Sequence, residues 1–443
     1  MPGLVAGRTF WKGFLEKIGL GVEEWRFMAY KSAFEMLSRR EMSDADREQR
    51  LELISDFYEE WSGAIAASRN LDSEELDSRV DSMGFIFAGE ALEVGLVDAV
   101  GRWDDAVDYV EEAGGKSAQF VTRDEAMESR FADPSWGMYP QIALVYAIGD
   151  CDMETGIRGR YTSRLLRKLA KRDEIRAVVL RVDSPGGDPL PSDLVACEME
   201  TVAEQEPMVV SQGSVAASGG YWISMTADRI YTSPFTVTGS IGVIAGWIWN
   251  DGLTDKTGFT SDFVKVGEHA DLGFGVRLPF LGVMVPDRNL DAYERARMEH
   301  LMKTLYHDFM DRVSSTRGIE RETVEEIAQG RVWSGRRSVE NRLTDEIGGL
   351  EQAIGHARHL AGIKAKRKIR IIEYPSPGLF NFDELFRPSS PIGALLWGWG
   401  SRDDELPVSH REYELSVLRR ISESPAQPLL LTPSEDLPPE EDE

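Results

Sequence analysis

Residues 208–227 read MVVSQGSVAASGGYWISMTA, and the fold is decided there. MVVSQG is a short apolar run of strand type, SGGYWISMTA has the spacing of a helix, and Ser218 stands where one passes into the other. A helix N-terminus offers backbone N–H groups without helical acceptors and a partial positive charge. The small residues of GSVAASGGYW (213–222) let a substrate backbone approach Ser218, and Gly219 leaves its own N–H unobstructed. They would equally serve to pack a helix closely on a strand, so the decapeptide alone leaves both readings open.

Outward from this junction the chain alternates strands and helices. IALVYAI (142–148), a helix over 163–172, RAVVLRV (176–182), a helix over 192–204 and MVVSQG give an α/β pattern with a parallel sheet. The N-terminal hundred residues read as helix-rich: apolar spacing predicts helices over 9–18 and 104–113, and a long amphipathic helix over 43–69 opened by SDAD. GVEEWRFMAY (21–30) has strand character. Residues 116–140 lack periodicity and form a connection, and 424–443, with five prolines and no Lys or Arg, reads as a disordered acidic tail. The aromatic, proline-broken stretch between them, 366–423, is an extension.

Composition narrows the partners. A length of 443 residues with 42% apolar content supports sizeable cores. A net charge of −26 argues against nucleic acid, which needs a basic face. Only Cys151 and Cys197 occur, in no metal-ligand spacing, and both are expected as buried thiols. No apolar run reaches the ~18 residues of a membrane span, and MPGLVAGRTF lacks the pattern of a signal peptide. As written, the chain is expected to carry neither address nor anchor. Neither a G-x-x-x-x-G-K loop nor an H-E-x-x-H pair occurs, so no cofactor and no metal are expected.

The sequence also repeats itself. GLVAGRTFWKGFLEKIG (3–19) aligns with GVIAGWIWNDGLTDKTG (242–258) at a constant offset, 242 − 3 = 258 − 19 = 239. FAGEALEVGLVDAVG (87–101) resembles WSGRRSVENRLTDEIGG (333–349), with the offset drifting to 345 − 98 = 247. The counterpart of Ser218 would precede residue 1, so the first repeat is expected to be truncated.

RVDSPGGD (181–188), GSVAASGGYWIS (213–224), DRIYTSPFTVTGSIGV (228–243) and GRVWSGRRSVENRLTDEIGG (330–349) resemble successive landmarks of the signal peptide peptidase A (protease IV) family. These are Ser/Lys peptidases of the ClpP/crotonase superfold, and the likeness is to their long two-repeat form. It implies ClpP/crotonase-like repeats, one truncated over 1–115 and one complete over 141–365. It implies Ser218 as nucleophile, and, because FMAYKSAFEMLSRREMS (27–43) matches the family's lysine stretch, Lys31 as general base. Ser240 would orient the lysine, and Gly186 and Gly219 would supply the oxyanion donors. Lys31 aligns with Ala270 at the offset of 239, the place where single-repeat relatives carry their lysine. By the same likeness the protein would cleave small or apolar peptide segments such as signal-peptide remnants. It would act as a homo-oligomer, a tetramer being one form, associated with the bacterial inner membrane on its periplasmic side.

The chemistry fits these residue types. A serine needs a base to take its proton, and a lysine serves only when neutral, which requires burial to bring its pKa down from ~10.4. His269, beside Ala270, is the competing base, although no acid at a recognisable spacing would orient it. Two other readings stand beside the peptidase: a catalytically silent scaffold, and a crotonase-type acyl-CoA enzyme, which would leave Ser218 and Lys31 unexplained.

Overall fold

The computed structural model describes residues 3–114, 139–278 and 283–375. Most of the connection at 116–140 and of the extension at 366–423, and all of the tail at 424–443, lie outside the described residues. The chain forms two compact units, Ala6–Phe57 with Pro140–Glu443, and Met1–Val5 with Tyr58–Tyr139. These units cut the chain differently from the repeat, because residues 6–57 fold with the second half.

In the larger unit, α1 (Lys12–Ile18) ends at Gly19, whose φ of 86° is the left-handed conformation that closes helices. After it come β1 (Leu20–Trp25), α2 (Glu35–Ser38) and the start of α3 (Asp44–Arg69). The strand character read over 21–30 stops at Trp25, where pairing ends, and the chain then turns through Phe27–Lys31. The smaller unit holds the end of α3 with α4 (Ser73–Met83), α5 (Ala88–Glu93) and α6 (Trp103–Gly114). Within it Tyr58 donates to Asp77 (2.7 Å) and Arg69 pairs with Asp98 (2.8 Å).

The larger unit then runs β2 (Gln141–Ile148), α7 (Gly159–Leu169), β3 (Ile175–Ser184), α8 (Pro189–Ala203), β4 (Met208–Ala217) and α9 (Gly219–Ser224). Both crossover helices start earlier than the sequence suggests. Thr162 ties down the first turn of α7 by donating to Ile157 O at 2.6 Å. Asp188 caps α8 by accepting from Leu190 N–H, and Pro189 has its φ preset for the first turn. Next come β5 (Arg229–Thr232), β6 (Val237–Gly239), β7 (Ala245–Asn250), α10 (Leu253–Thr257), β8 (Gly275–Leu278), β9 (Val283–Pro286), α11 (Ala292–Arg317) and α12 (Arg321–Ile327). Last are β10 (Val332–Ser334), α13 (Gly335–Glu340), β11 (Glu346–Ile347), α14 (Leu350–Leu360) and β12 (Arg370–Tyr374).

The main sheet has the order β10-β6-β4-β3-β2-β12, with β5 on the first half of β4 and β11 on β5. It is parallel except where β10 meets β6. Because the strand period is two, alternate residues face opposite cores. Val145, Val178, Leu180 and Val210 meet Leu166, Val195 and Met199 of the crossover helices. Ile142, Leu144, Val179 and Val209 meet Ala353 and Ala357 of α14. β4 forks: Val209–Ser211 pair with β5, while Val215–Ala217 pair with β6. The fork lays the ends of β4 and β6 and the start of β10 side by side.

A second, two-stranded sheet pairs β1 antiparallel with β7, Leu20 opposite Asn250 and Trp25 opposite Ala245. Two glycines permit the close fit. A Cβ on Gly246 would fall 1.8 Å from the Phe34 ring, and one on Gly21 2.2 Å from Trp249. This pairing brings the segment carrying Lys31 to the main sheet.

Candidate active site

Ser218, Ser240 and Gly330 arrive from neighbouring strands. Ser218 follows β4 and donates its N–H to Gly239 O (2.8 Å); Ser240 follows β6 and donates its N–H to Arg331 O (2.7 Å). The site therefore sits at the carboxyl ends of parallel strands, the usual crevice of an α/β sheet. Both serines have positive φ, 56° at Ser218 and 53° at Ser240. Ser218 combines it with a ψ of −116°, a region costly for any residue with a Cβ and held only where the surroundings enforce it.

Lys31 arrives on the turn that follows β1. Tyr30 N–H donates to Gln329 O (3.0 Å), which fixes the chain one residue before the lysine. Gly330, at φ 76°, leaves room for the side chain: a Cβ there would lie 2.4 Å from Lys31 Cβ. The amine Nζ lies 2.7 Å from Ser218 Oγ, and 2.9 Å from both the carbonyl oxygen and Oγ of Ser240. Lys31, Ser218 and Ser240 have no exposed surface. Burial holds the Lys31 pKa well below its ordinary value.

The three oxygens around Nζ accommodate a neutral amine, which has two N–H groups and one lone pair. The Ser240 carbonyl can only accept, Ser240 Oγ can take the second N–H, and the lone pair is left facing the Ser218 hydroxyl. A protonated lysine would instead present all three protons, with no carboxylate among these partners.

The two expected oxyanion glycines lie against each other: a Cβ on Gly219 would come within 3.2 Å of Gly186 Cα and 3.0 Å of Cys151 Sγ. Gly219 opens α9, whose first N–H groups have no helical acceptor. Gly186 already has hydrogen-bond partners within the chain. Its N–H is not held bare but donates to Ser184 Oγ at 3.2 Å, and its carbonyl accepts from Cys151 N–H at 2.7 Å. The serine of SPGG thus satisfies locally a donor that the family likeness assigns to substrate.

His269 is placed elsewhere. Its Nδ1 lies 2.8 Å from Glu294 Oε1, and its ring stacks on Tyr293. Arg288 donates to both Glu294 oxygens, which holds that carboxylate down to about 2. His269, Asp291 and Glu294 are spaced as metal ligands could be, but Glu294 is committed to Arg288 and to capping α11 through Asp291 N–H. Ala270 is exposed. Of the two thiols Cys151 is buried, while Cys197, expected inside, is exposed on α8.

Sequence reasoning missed the polar support beneath Lys31. The inward face at the start of α3 is not apolar, as an amphipathic helix would have it, but carries buried Asp46, Gln49, Arg50 and Asp56. Asp56 accepts from Ser334 (2.6 Å), Arg336 (2.9 Å) and Arg337 (2.7 Å), clamping α3 to β10 and α13. Burial alone would raise its pKa, but these donors outweigh that and hold it low. Polar helix positions read as solvated in sequence; only the acidic first turn, S-D-A-D, hints at more.

Comparison with known proteins finds relatives for the chain. The family model of Peptidase family S49 matches residues 1–116 and 200–364. A chloroplastic serine protease SPPA of Arabidopsis thaliana is 29% identical over 412 residues, covering 90% of this chain and 58% of its own. Protease 4 of Salmonella typhi is 29% identical over 380 residues, covering 82% and 59%. The chain thus spans just under three fifths of the length of these curated relatives. Among solved structures, a ClpP1 variant of Listeria monocytogenes covers 48% of this chain and 94% of its own at 11% identity and a TM-score of 0.32. The α/β assignment accordingly rests on the sheet itself.

Proposed function

The chain belongs to peptidase family S49, and on that premise we propose that it is a serine endopeptidase in which Lys31 activates Ser218. One observation carries the reading: a wholly buried amine, with no carboxylate among its partners, lies 2.7 Å from a buried serine hydroxyl. The neutral Nζ takes the Ser218 proton as Oγ attacks a peptide carbonyl, and Ser240 holds the amine by its carbonyl and hydroxyl. Negative charge then collects on the substrate oxygen, where Gly219 N–H and Gly186 N–H stabilise it. To donate there, Gly186 N–H exchanges Ser184 Oγ for the substrate. The protonated lysine returns its proton to the leaving amine, and water, deprotonated by the same lysine, releases the acyl group.

By likeness to the family, the substrates are small or apolar peptide segments. Signal-peptide remnants are one such class. Among the described residues no helix is long and apolar enough to cross a membrane. Membrane association on the periplasmic side of a bacterial inner membrane, and assembly as a homo-oligomer, are part of the proposal by likeness to the family.

A fluorophosphonate, which reacts only with an activated serine, tests it. Wild-type protein should be labelled on Ser218, and Ser218→Ala and Lys31→Ala should each abolish labelling while keeping the native circular dichroism spectrum. An unlabelled wild type would favour the silent scaffold.

A further inference from the structure

Beneath the lysine lies a buried polar network that the peptidase chemistry itself does not require. Gln49, on the second turn of α3, is 1% exposed. Its Nε2 donates to Tyr30 O (2.9 Å), and lies 3.1 Å from both Ser32 Oγ and Asp46 Oδ1. Its Oε1 accepts from Val332 N–H on β10 (3.3 Å). Ser32 Oγ donates to Asp46 Oδ1 at 2.5 Å, Arg50 Nε holds the other Asp46 oxygen at 3.0 Å, and Arg8 donates to Ser32 O at 2.7 Å. One amide therefore grips the residues on both sides of Lys31 and, at its far end, the strand that begins two residues after Gly330. These are the two walls between which the lysine stem runs.

A buried polar network is stabilising only when its members are satisfied, and then it fixes a single geometry. Here that geometry is the height of the Lys31 backbone above Ser218. We propose that Gln49 is a positioning residue for the base: through Tyr30, Ser32 and Val332 it sets the reach of Lys31 Nζ to Ser218 Oγ and keeps the amine sealed from water. The proposal rests on the Ser/Lys reading above. The charged groups of the cluster, Asp46 with Arg50 and Arg8, pair among themselves, so an effect of Gln49 on the amine would arise from placement and solvation.

The test is the rate of fluorophosphonate labelling of Ser218 between pH 6 and pH 10, for the full chain, with unfolding midpoints measured alongside. Gln49→Leu keeps the bulk of the side chain but loses all four contacts. It should label about 10²-fold more slowly near neutrality, the cost of an ångström of misplacement. Its pH–rate midpoint should also move to higher pH, because an amine that reaches water regains the proton that burial denies it. A merely structural role would lower the unfolding midpoint and leave the pH–rate midpoint in place; that result, or labelling at the wild-type rate, overturns the proposal. Should Gln49→Leu fail to fold, Ser32→Ala, which deletes one hydroxyl of the same network, carries the test with the same expected alkaline shift. Labelling that survives Lys31→Ala would remove the Ser/Lys reading and this proposal together. Loss with Lys31→Ala but wild-type behaviour with Gln49→Leu would remove only the proposal.

Discussion

Lys31 makes no ion pair with its site partners and has no exposed surface, so folding must leave it without its proton over a range of pH in which the unfolded chain retains one. Between its lowered folded pKa and the ~10.4 of a free lysine, the unfolded state binds one proton more, and stability rises with pH by up to about 1.4 kcal/mol per pH unit. Below the folded pKa both states hold the proton and the contribution is flat. Lys31→Met removes this dependence while keeping most of the stem. Relative to wild type, the variant should therefore be at its most stable near neutrality, and the advantage should shrink steadily as pH approaches 10.4. Urea unfolding of both proteins at pH 7, 8.5 and 10 measures it. Parallel curves would mean that the amine is hydrated in the folded protein. Ser218 shows the same economy at the backbone: its φ of 56° lifts the hydroxyl out of the strand, and the bonds from its N–H to Gly239 O and from Trp222 N–H to its own carbonyl lock that turn.

Among elements, those whose signal is local were legible in sequence. The apolar runs of β2, β3 and β4 and the small-residue junction at Ser218 fall where the pattern puts them, because each is buried on both faces and bounded by turn chemistry. The antiparallel pairing of β1 with β7 was not, since it joins residues more than two hundred apart and its glycines matter only for what they face. Nor was Gln49, whose burial depends on backbone groups of Tyr30 and Val332 far from it in sequence. Nothing in the spacing of Lys31 and Ser218 joins them; likeness to a family did. Gly330 is a case where the element-level reading can be tested. It must be glycine twice over, for its φ of 76° and for the 2.4 Å approach of an added Cβ to Lys31 Cβ. Gly330→Ala should slow labelling of Ser218 by about 10²-fold and lower stability by about 1–3 kcal/mol, whereas Gly252→Ala, with φ 97° but no neighbour within 4 Å, should cost stability alone. Equal labelling rates for the two variants would show that Gly330 does not seat the base.

At the scale of the whole chain the repeat reappears in the elements. Helices α3 and α11 are both 26 residues long and start 292 − 44 = 248 residues apart, and each is followed by a residue with positive φ, Asn70 (52°) and Gly318 (60°). Helices α5 and α13, both of six residues, are offset by 335 − 88 = 247. The partners of matching helices nevertheless differ. Helix α14 lays Leu350, Ala353, Ile354 and Ala357 on the sheet, whereas Trp103 and Val110, at the corresponding positions of α6, are exposed. A lysine at position 270 would occupy the repeat's equivalent of position 31, but Ala270 is exposed, so such a lysine faces outward and can meet a serine only on another copy. Two inactive chains should therefore complement each other. One carries Lys31→Ala with Ser218 intact; the other carries Lys31→Ala, Ser218→Ala and Ala270→Lys. Mixed, they should regain labelling on the first chain's Ser218, on the order of 10²-fold below wild type, because the relocated amine lacks the burial and the Ser240 partners that keep Lys31 neutral and aimed. The signal should grow with protein concentration, since the site forms between chains. A mixture as unreactive as its parts, with both chains folded, would show that the second repeat has lost the geometry of its lysine position as well as the residue.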